Sequence, residues 1–368
     1  MKFAKCIERF GKRGIRKILK RCLKPIPVKP EEFDHDSIGR ILVVRQDSRL
    51  GNLVLMTPLI RGLKEVFPAA RIDVLISEGF EEVLEHNPDI DRTVVFRKKK
   101  ARLLPWSYPL FINNLRKERY DLVVDASNGY HFSLNNVLLV SFSGARYRLG
   151  YARGGKESYF NLPVPLPSEE THMADAMLGL VKSISPDIRD FPLSYYLSDS
   201  DRAFAQGWLK ERRIMEFDSF FVIHPGGRGE KQWGPLNFAE LIDRINSEIT
   251  LRIVVIGSKE EYELIEHIND LSESAFDIVQ DVTIGQMAAI IERCDMFISN
   301  DTGPMHVSIA LGRPTVGIFI SSDFRVYGPR GRNGRIIINT EGLPTVDDVM
   351  VAVMDLLDSH ADMETEKQ

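Results

Sequence analysis

The chain has 368 residues, 43% of them hydrophobic and 27% charged, which excludes a disordered or collagen-like polymer and gives length for two ordinary domains. A formal net charge of -4 excludes any global pull toward nucleic acid or an anionic membrane. Three cysteines, Cys6, Cys22 and Cys294, make neither a disulfide framework nor a zinc site and suit a reduced, cytosolic protein, and no apolar run reaches the ~18 residues of a spanning helix.

Residues 1–37 stand apart as a basic, amphipathic segment and linker. Met1 to Pro30 carries eleven Lys and Arg against the single acid Glu8, with Phe3, Ile7, Phe10, Ile15, Ile18 and Leu19 at roughly helical spacing. One reading is a helix lying on an anionic inner-membrane surface, where each cation contributes about 1 kcal/mol. The other is a solvated helix packed on its own domain. Gly11 and Gly14 weaken a helix in both.

Ile41–Val44 then reads as a buried parallel strand. A helix is expected from Leu53 to Phe67, and further strands at Ile72–Ile76, Thr93–Phe96 and Leu122–Asp125. Leu162-Pro163-Val164-Pro165 fits neither a central strand nor a helix and leads out of this domain. Helices near His172–Ser183 and Asp201–Arg212 bridge to a second series of strands: Phe220–His224, Arg252–Ile256, Met296–Ser299 and Thr315–Ile320. Alternating strands and helices imply an α/β fold of two Rossmann-like, doubly wound domains facing a central cleft. The expected divisions are 38–167, connecting helices at 168–217, 218–345, and a C-terminal helix and tail at 346–368.

Ligands of such sheets bind at strand carboxyl ends. The loop after the first strand is Arg45-Gln46-Asp47-Ser48-Arg49-Leu50-Gly51-Asn52. Gly51 permits a tight turn there, and the lack of a GxGxxG fingerprint argues against a nicotinamide cofactor. The second loop, His224-Pro225-Gly226-Gly227-Arg228-Gly229-Glu230-Lys231-Gln232-Trp233, offers backbone and the cations Arg228 and Lys231 to a phosphate; a glycine turn with solvated cations is the plain alternative. The third, Asn300-Asp301-Thr302-Gly303-Pro304-Met305-His306, opens a helix whose N-terminus suits an anion, with Asp301 or Thr302 as cap. His306 fits a packed side chain better than a catalyst.

Two DxD triplets, Asp89-Ile90-Asp91 and Asp199-Ser200-Asp201, read as a turn and a helix start rather than metal sites. The run Arg97-Lys98-Lys99-Lys100 with Arg102 reads as a solvated loop or a contact for a phosphorylated acceptor. Trp106, Tyr108 and Phe111 beside it could stack on sugar or dip into lipid.

Together these loops resemble glycosyltransferase family 9, the ADP-heptose:lipopolysaccharide heptosyltransferases. The likeness runs from about Ile41 to Asn339 and is most specific at Asn300 to His306. It implies a GT-B fold with the 38–167 domain on the acceptor side and the 218–345 domain holding the nucleotide sugar. It further implies inverting, metal-independent transfer of heptose from ADP-heptose to a lipid-linked core oligosaccharide on the inner membrane face, without a cofactor. Carried over residue by residue, Lys231, Thr302 and Gly303 hold phosphates, Glu261 the ribose, Asp301 lies near the sugar, and Trp233 shapes the donor pocket; Gly51, Arg228 and His306 join them.

One position departs from the pattern. The family's Gly-Asp turn, whose acid is the proposed base, is Gly51-Asn52 here. A neutral amide cannot accept the proton as a carboxylate does. Asp47, five residues earlier, is the expected substitute. A weak or inactive nucleotide-sugar-binding relative is the alternative, and a GT-B nucleotide-sugar epimerase a more distant one, since no acid/base set around a bound sugar is evident.

Overall fold

The computed structural model describes residues 25–29, 32–46, 49–98, 103–104, 106–127, 133–152, 159–331, 333–338 and 342–365. The basic helix expected in residues 1–24 and the candidate base Asp47 lie outside the described residues. The chain forms two compact units. One runs to Phe191 but omits Arg49–Leu55; that segment belongs with the other, which begins at Pro192.

In the first unit, six described strands form one parallel sheet: β1 (Arg40–Val44), β2 (Arg71–Ser77), β3 (Arg92–Phe96), β4 (Leu122–Asp125), β5 (Tyr147–Tyr151) and β6 (Leu162–Val164), in the order β3-β2-β1-β4-β5-β6. β1 lies in the middle, with Ile41 opposite both Ile72 of β2 and Leu122 of β4. That position explains its unbroken apolar run: helices cover both faces, so no side chain from Ile41 to Val44 meets water. Pro163 is tolerated because β6 is an edge strand, with one side free of a ladder.

The helix expected from Leu53 to Phe67 is instead two, Leu50–Val54 and Thr57–Val66, with Pro58 in the first turn of the second. A proline there has no N–H to give and would clash with the carbonyl four residues back, so the chain restarts its helix at Thr57.

The second unit repeats the pattern. Its described strands are β7 (Phe220–His224), β8 (Arg252–Ile256), β9 (Asp277–Val279), β10 (Met296–Asn300), β11 (Thr315–Ile318) and β12 (Gly334–Ile337), ordered β12-β11-β10-β7-β8-β9. Read from the other edge, this is the same winding as the first sheet. The strand order reverses direction between β7 and β10, where Ser299 lies opposite His224. Such a switch point leaves a crevice at the carboxyl ends of the two strands.

The helices expected as a connector at 168–217 divide between the units. Met173–Lys182 packs on Thr57–Val66, where Gly62 leaves room for Leu178; a Cβ at Gly62 would come within 2.9 Å of it. Asp199–Glu211 packs on Ile284–Arg293 in the second unit. The C-terminal helix Val346–Thr365 packs into the second unit: Val349, Met350, Val353 and Leu356 complete the second core with Phe238, Ile242 and Ile298. Among the described residues no helix is long and apolar enough to cross a membrane.

Candidate functional site

The site is built at the β7–β10 switch point of the second unit. Both strands are fully buried, so the residues that follow them start from a fixed platform. Asn300 ties the two loops together: its amide Nδ2 donates to the carbonyls of Pro225 and Gly226, each at 2.9 Å. After β7 the chain runs through Gly226 and Gly227 into a single 3-10 turn, Gly229–Lys231, and restarts as the helix Pro235–Glu248.

Trp233 anchors that loop from beneath. It is 1% exposed, its indole Nε1 donates to the Pro344 carbonyl at 2.6 Å, and its ring meets Phe238 edge-on at 5.1 Å. Trp233 is thus a core side chain that supports the loop from below.

After β10, Thr302 stands at the N-cap of the helix Gly303–Ala310, but its side chain makes no capping bond. Its hydroxyl instead lies 3.3 Å from Nδ1 of His224. The first backbone N–H groups of this helix thus have no side-chain cap, and the helix dipole adds positive potential where they point. His224 continues the chain of contacts: its Nε2 is 3.5 Å from Oε2 of Glu261. Glu261 closes a capping box with Ser258, accepting from that residue's N–H at 2.8 Å and hydroxyl at 3.0 Å. Gly226 makes the arrangement possible, since a Cβ there would sit 1.7 Å from Oε1 of Glu261 and 2.6 Å from Cε1 of His224.

Burial works to raise the Glu261 carboxyl, but the bonds from His224 and Ser258 outweigh it and hold the group down at about 2, from an ordinary 4.5. A depressed carboxyl favours the folded state above its unfolded value. That stabilisation is complete above pH 4.5 and is lost as pH falls toward 2. The stability advantage of the wild type over Glu261→Gln is therefore expected to shrink across that window, as read by urea midpoints at successive pH values. A constant difference would mean that the charge of Glu261 contributes nothing to the fold.

Lys231 is ion-paired with Asp301, a buried carboxylate. His306 stands on the other side of the same acid, with Nε2 3.9 Å from Oδ1. Burial, helped by the charge of Lys231, holds the imidazole neutral well below its ordinary 6.5 against the pull of Asp301. Arg228 is exposed, and among the described residues it has no ion-pair partner.

Gly51 is not in a turn, as the sequence suggested, but inside the helix Leu50–Val54. It is glycine because the His306 ring occupies the place of a side chain, 2.4 Å from an ideal Cβ. Gly303 answers from the facing helix, where a Cβ would meet Leu50 at 2.8 Å. Asn52 is half-buried on the same short helix.

Second-unit contacts thus join Lys231 to Asp301 and His306, and Thr302 to His224 and Glu261. His224 as a bridge and Asn300 as a clamp were not evident from sequence, and neither has a local signature. Ser258-Lys-Glu-Glu261 does have one, a capping-box spacing. The set-aside triplets behave as expected: Ser198 and Asp201 form a capping box, while Asp91 accepts from the Ile72 N–H at 2.8 Å and Asp89 pairs with Arg61 at 2.9 Å. Among the described residues no group of three or more His, Cys, Asp or Glu is assembled as for a metal.

Comparison with known proteins decides the family. The profile of glycosyltransferase family 9 (heptosyltransferase) matches residues 110–352. The chain belongs to glycosyltransferase family 9. Lipopolysaccharide heptosyltransferase 3 of Escherichia coli is 23% identical over 300 residues, covering 77% of this chain and 84% of that one. The crystal structure of a glycosyl transferase family 9 protein from Veillonella parvula superposes with a TM-score of 0.79 at 21% identity, covering 90% of this chain and 99% of that one. The E. coli heptosyltransferase WaaC with ADP does so with a TM-score of 0.68 at 20% identity, covering 86% and 99%. The two parallel sheets are thus those of the GT-B fold, and the family is one of glycosyltransferases.

Proposed function

We propose that the chain is an inverting, metal-independent transferase that moves a heptose or related sugar from an ADP-sugar to a lipopolysaccharide core or similar lipid-linked acceptor. It works in the cytoplasm, at the inner face of the inner membrane. The observation that carries the donor half is the β7–β10 switch point, where a glycine loop bearing Arg228 and Lys231 meets a helix start whose N–H groups no side chain caps. A diphosphate there is met by Arg228, by the Gly303 helix start and by Lys231, for which it competes with Asp301. Asp301 is then released toward the sugar hydroxyls, and Glu261 accepts from the ribose. WaaC, a relative in fold, was solved with ADP, which supports adenine as the base.

In the reaction, Asp47 takes the proton of the acceptor hydroxyl, whose oxygen attacks the anomeric carbon from the face opposite the leaving group. The bond from that carbon to the diphosphate oxygen breaks, and ADP departs with its new charge met by donors already in position. Such preorganised stabilisation is usually the largest catalytic contribution.

ADP is expected to raise the melting temperature selectively over UDP and GDP, because a ligand at a hundredfold excess over its Kd adds about 2.7 kcal/mol to the folded state. Lys231→Ala and Arg228→Ala are expected to lose most of that shift. Equal shifts with all three nucleotides, or none, would sink the ADP-sugar reading. A second reading, a nucleotide-sugar-binding relative without turnover, draws on Asn52 alone; it predicts the ADP shift with no transfer.

A further inference from the structure

The stretch from Arg97 to Lys117 holds seven Lys and Arg and no Asp or Glu, inside a chain whose net charge is -4. It leaves the carboxyl end of β3 and enters the helix Ser107–Lys117. The structure sorts its apolar residues into two sets. Tyr108 and Phe111 turn inward and meet Phe96 edge-on, at 5.8 and 5.1 Å, while Ile112 and Leu115 are buried. Leu103, Trp106 and Leu110 turn outward and are 78%, 67% and 58% exposed. The Leu110 N–H bonds to the Trp106 carbonyl, so these two share a face one turn apart. Arg97, Arg116 and Lys117 of the same stretch are exposed as well.

Folding has placed the aromatics it needs inside and left the largest one in water. An exposed apolar face in a stretch that carries seven cations and no acid matches a surface that is hydrocarbon below and negatively charged above. We propose that this face docks on an anionic bilayer, with Trp106 and Leu110 entering the boundary between headgroups and acyl chains and the cations meeting lipid phosphates. Because it begins where β3 ends, it shares the carboxyl rim of its sheet with the loops after β1 and β4. Docking there brings a lipid-borne substrate to that rim. The purpose of the face rests on the lipid-linked acceptor proposed above, but the binding stands independently of it.

The test uses the full chain, sedimented with vesicles of phosphatidylglycerol and phosphatidylethanolamine and, for contrast, of phosphatidylcholine alone. The basic segment at residues 1–30 is present throughout, so the comparison is between the wild type and Trp106→Glu/Leu110→Glu. Both positions are exposed, and melting together with transfer to a water-soluble acceptor fragment verifies an intact fold. Binding to the anionic vesicles is expected to fall by about tenfold or more, since buried apolar carbon and lipid charge act together. Trp106 is also a native reporter. Its emission is expected to shift to the blue on anionic vesicles, and Trp106→Phe to abolish the shift while still sedimenting. Sedimentation of the double variant equal to wild type, or emission blind to vesicles, would overturn the proposal. So would a lipid-free, concentration-dependent shift, which would give the face to a second copy of the chain. Intact vesicle binding without transfer to any acceptor would count against the transferase reading alone.

Discussion

Turnover of Asp47→Ala is expected to fall by about 10²–10⁴-fold, the usual contribution of a positioned general base, with ADP affinity unchanged. The departure at Gly51-Asn52 drives this expectation. In the family's turn the acid follows the glycine; here that position is an amide, with no lone pair basic enough to take a proton. Asn52 lies on the helix Leu50–Val54, whose Gly51 is pressed against His306, so the backbone at this point is tightly held. A carboxylate restored there should act. Asn52→Asp is therefore expected to recover much of the loss when combined with Asp47→Ala. The measurement is single-turnover transfer, with ADP binding followed in parallel. Unchanged turnover in Asp47→Ala removes Asp47 from the mechanism, and a loss that Asn52→Asp does not relieve means that position 52 cannot supply the base.

Trp233→Ala is expected to cost about 3–5 kcal/mol of unfolding free energy, the range for emptying a large aromatic site. Two losses add. The ring leaves a cavity against Phe238, and the Pro344 carbonyl loses the indole N–H that meets it at 2.6 Å. For a unit of this size the melting temperature should drop by on the order of 10 °C. The loop above it should suffer too, because Gly226 to Lys231 is anchored by this residue and by Asn300. ADP binding by the surviving fold is thus expected to weaken. Calorimetry checks the first part and nucleotide titration the second; a loss below about 1 kcal/mol would mean that the packing around the loop, not the indole, pins it.

The central strands were legible because a strand covered on both faces writes an unbroken apolar run, as in Ile41–Val44 and Phe220–His224. β5, β6, β9 and β12 were not. β5 carries Arg148, β6 is three residues around Pro163, β9 is three residues beginning with Asp277, and β12 opens with Gly334-Arg335. Three of the four, β6, β9 and β12, are edges, where pairing with one neighbour replaces apolar pattern as the cause of the strand, and β5 adjoins one. In the candidate site, residue types and loops could be read from their motifs. Their contacts could not, because Lys231 meets Asp301 and His224 meets Thr302 across 70 and 78 residues of chain. The break at Thr57 was available in principle from Pro58, whose ring forbids a continuous helix.

The mutual glycine fit, Gly51 beneath His306 and Gly303 beneath Leu50, has a consequence for biosynthesis. About 250 residues separate the two sides, so at 5–20 residues per second the Leu50–Val54 segment emerges on the order of 10–50 s before its partner. Throughout that interval Leu50 and Gly51 lack the Gly303 backbone and the His306 ring that meet them in the finished protein. The ribosome therefore exposes the Leu50–Val54 helix well before the part of its own unit that packs on it.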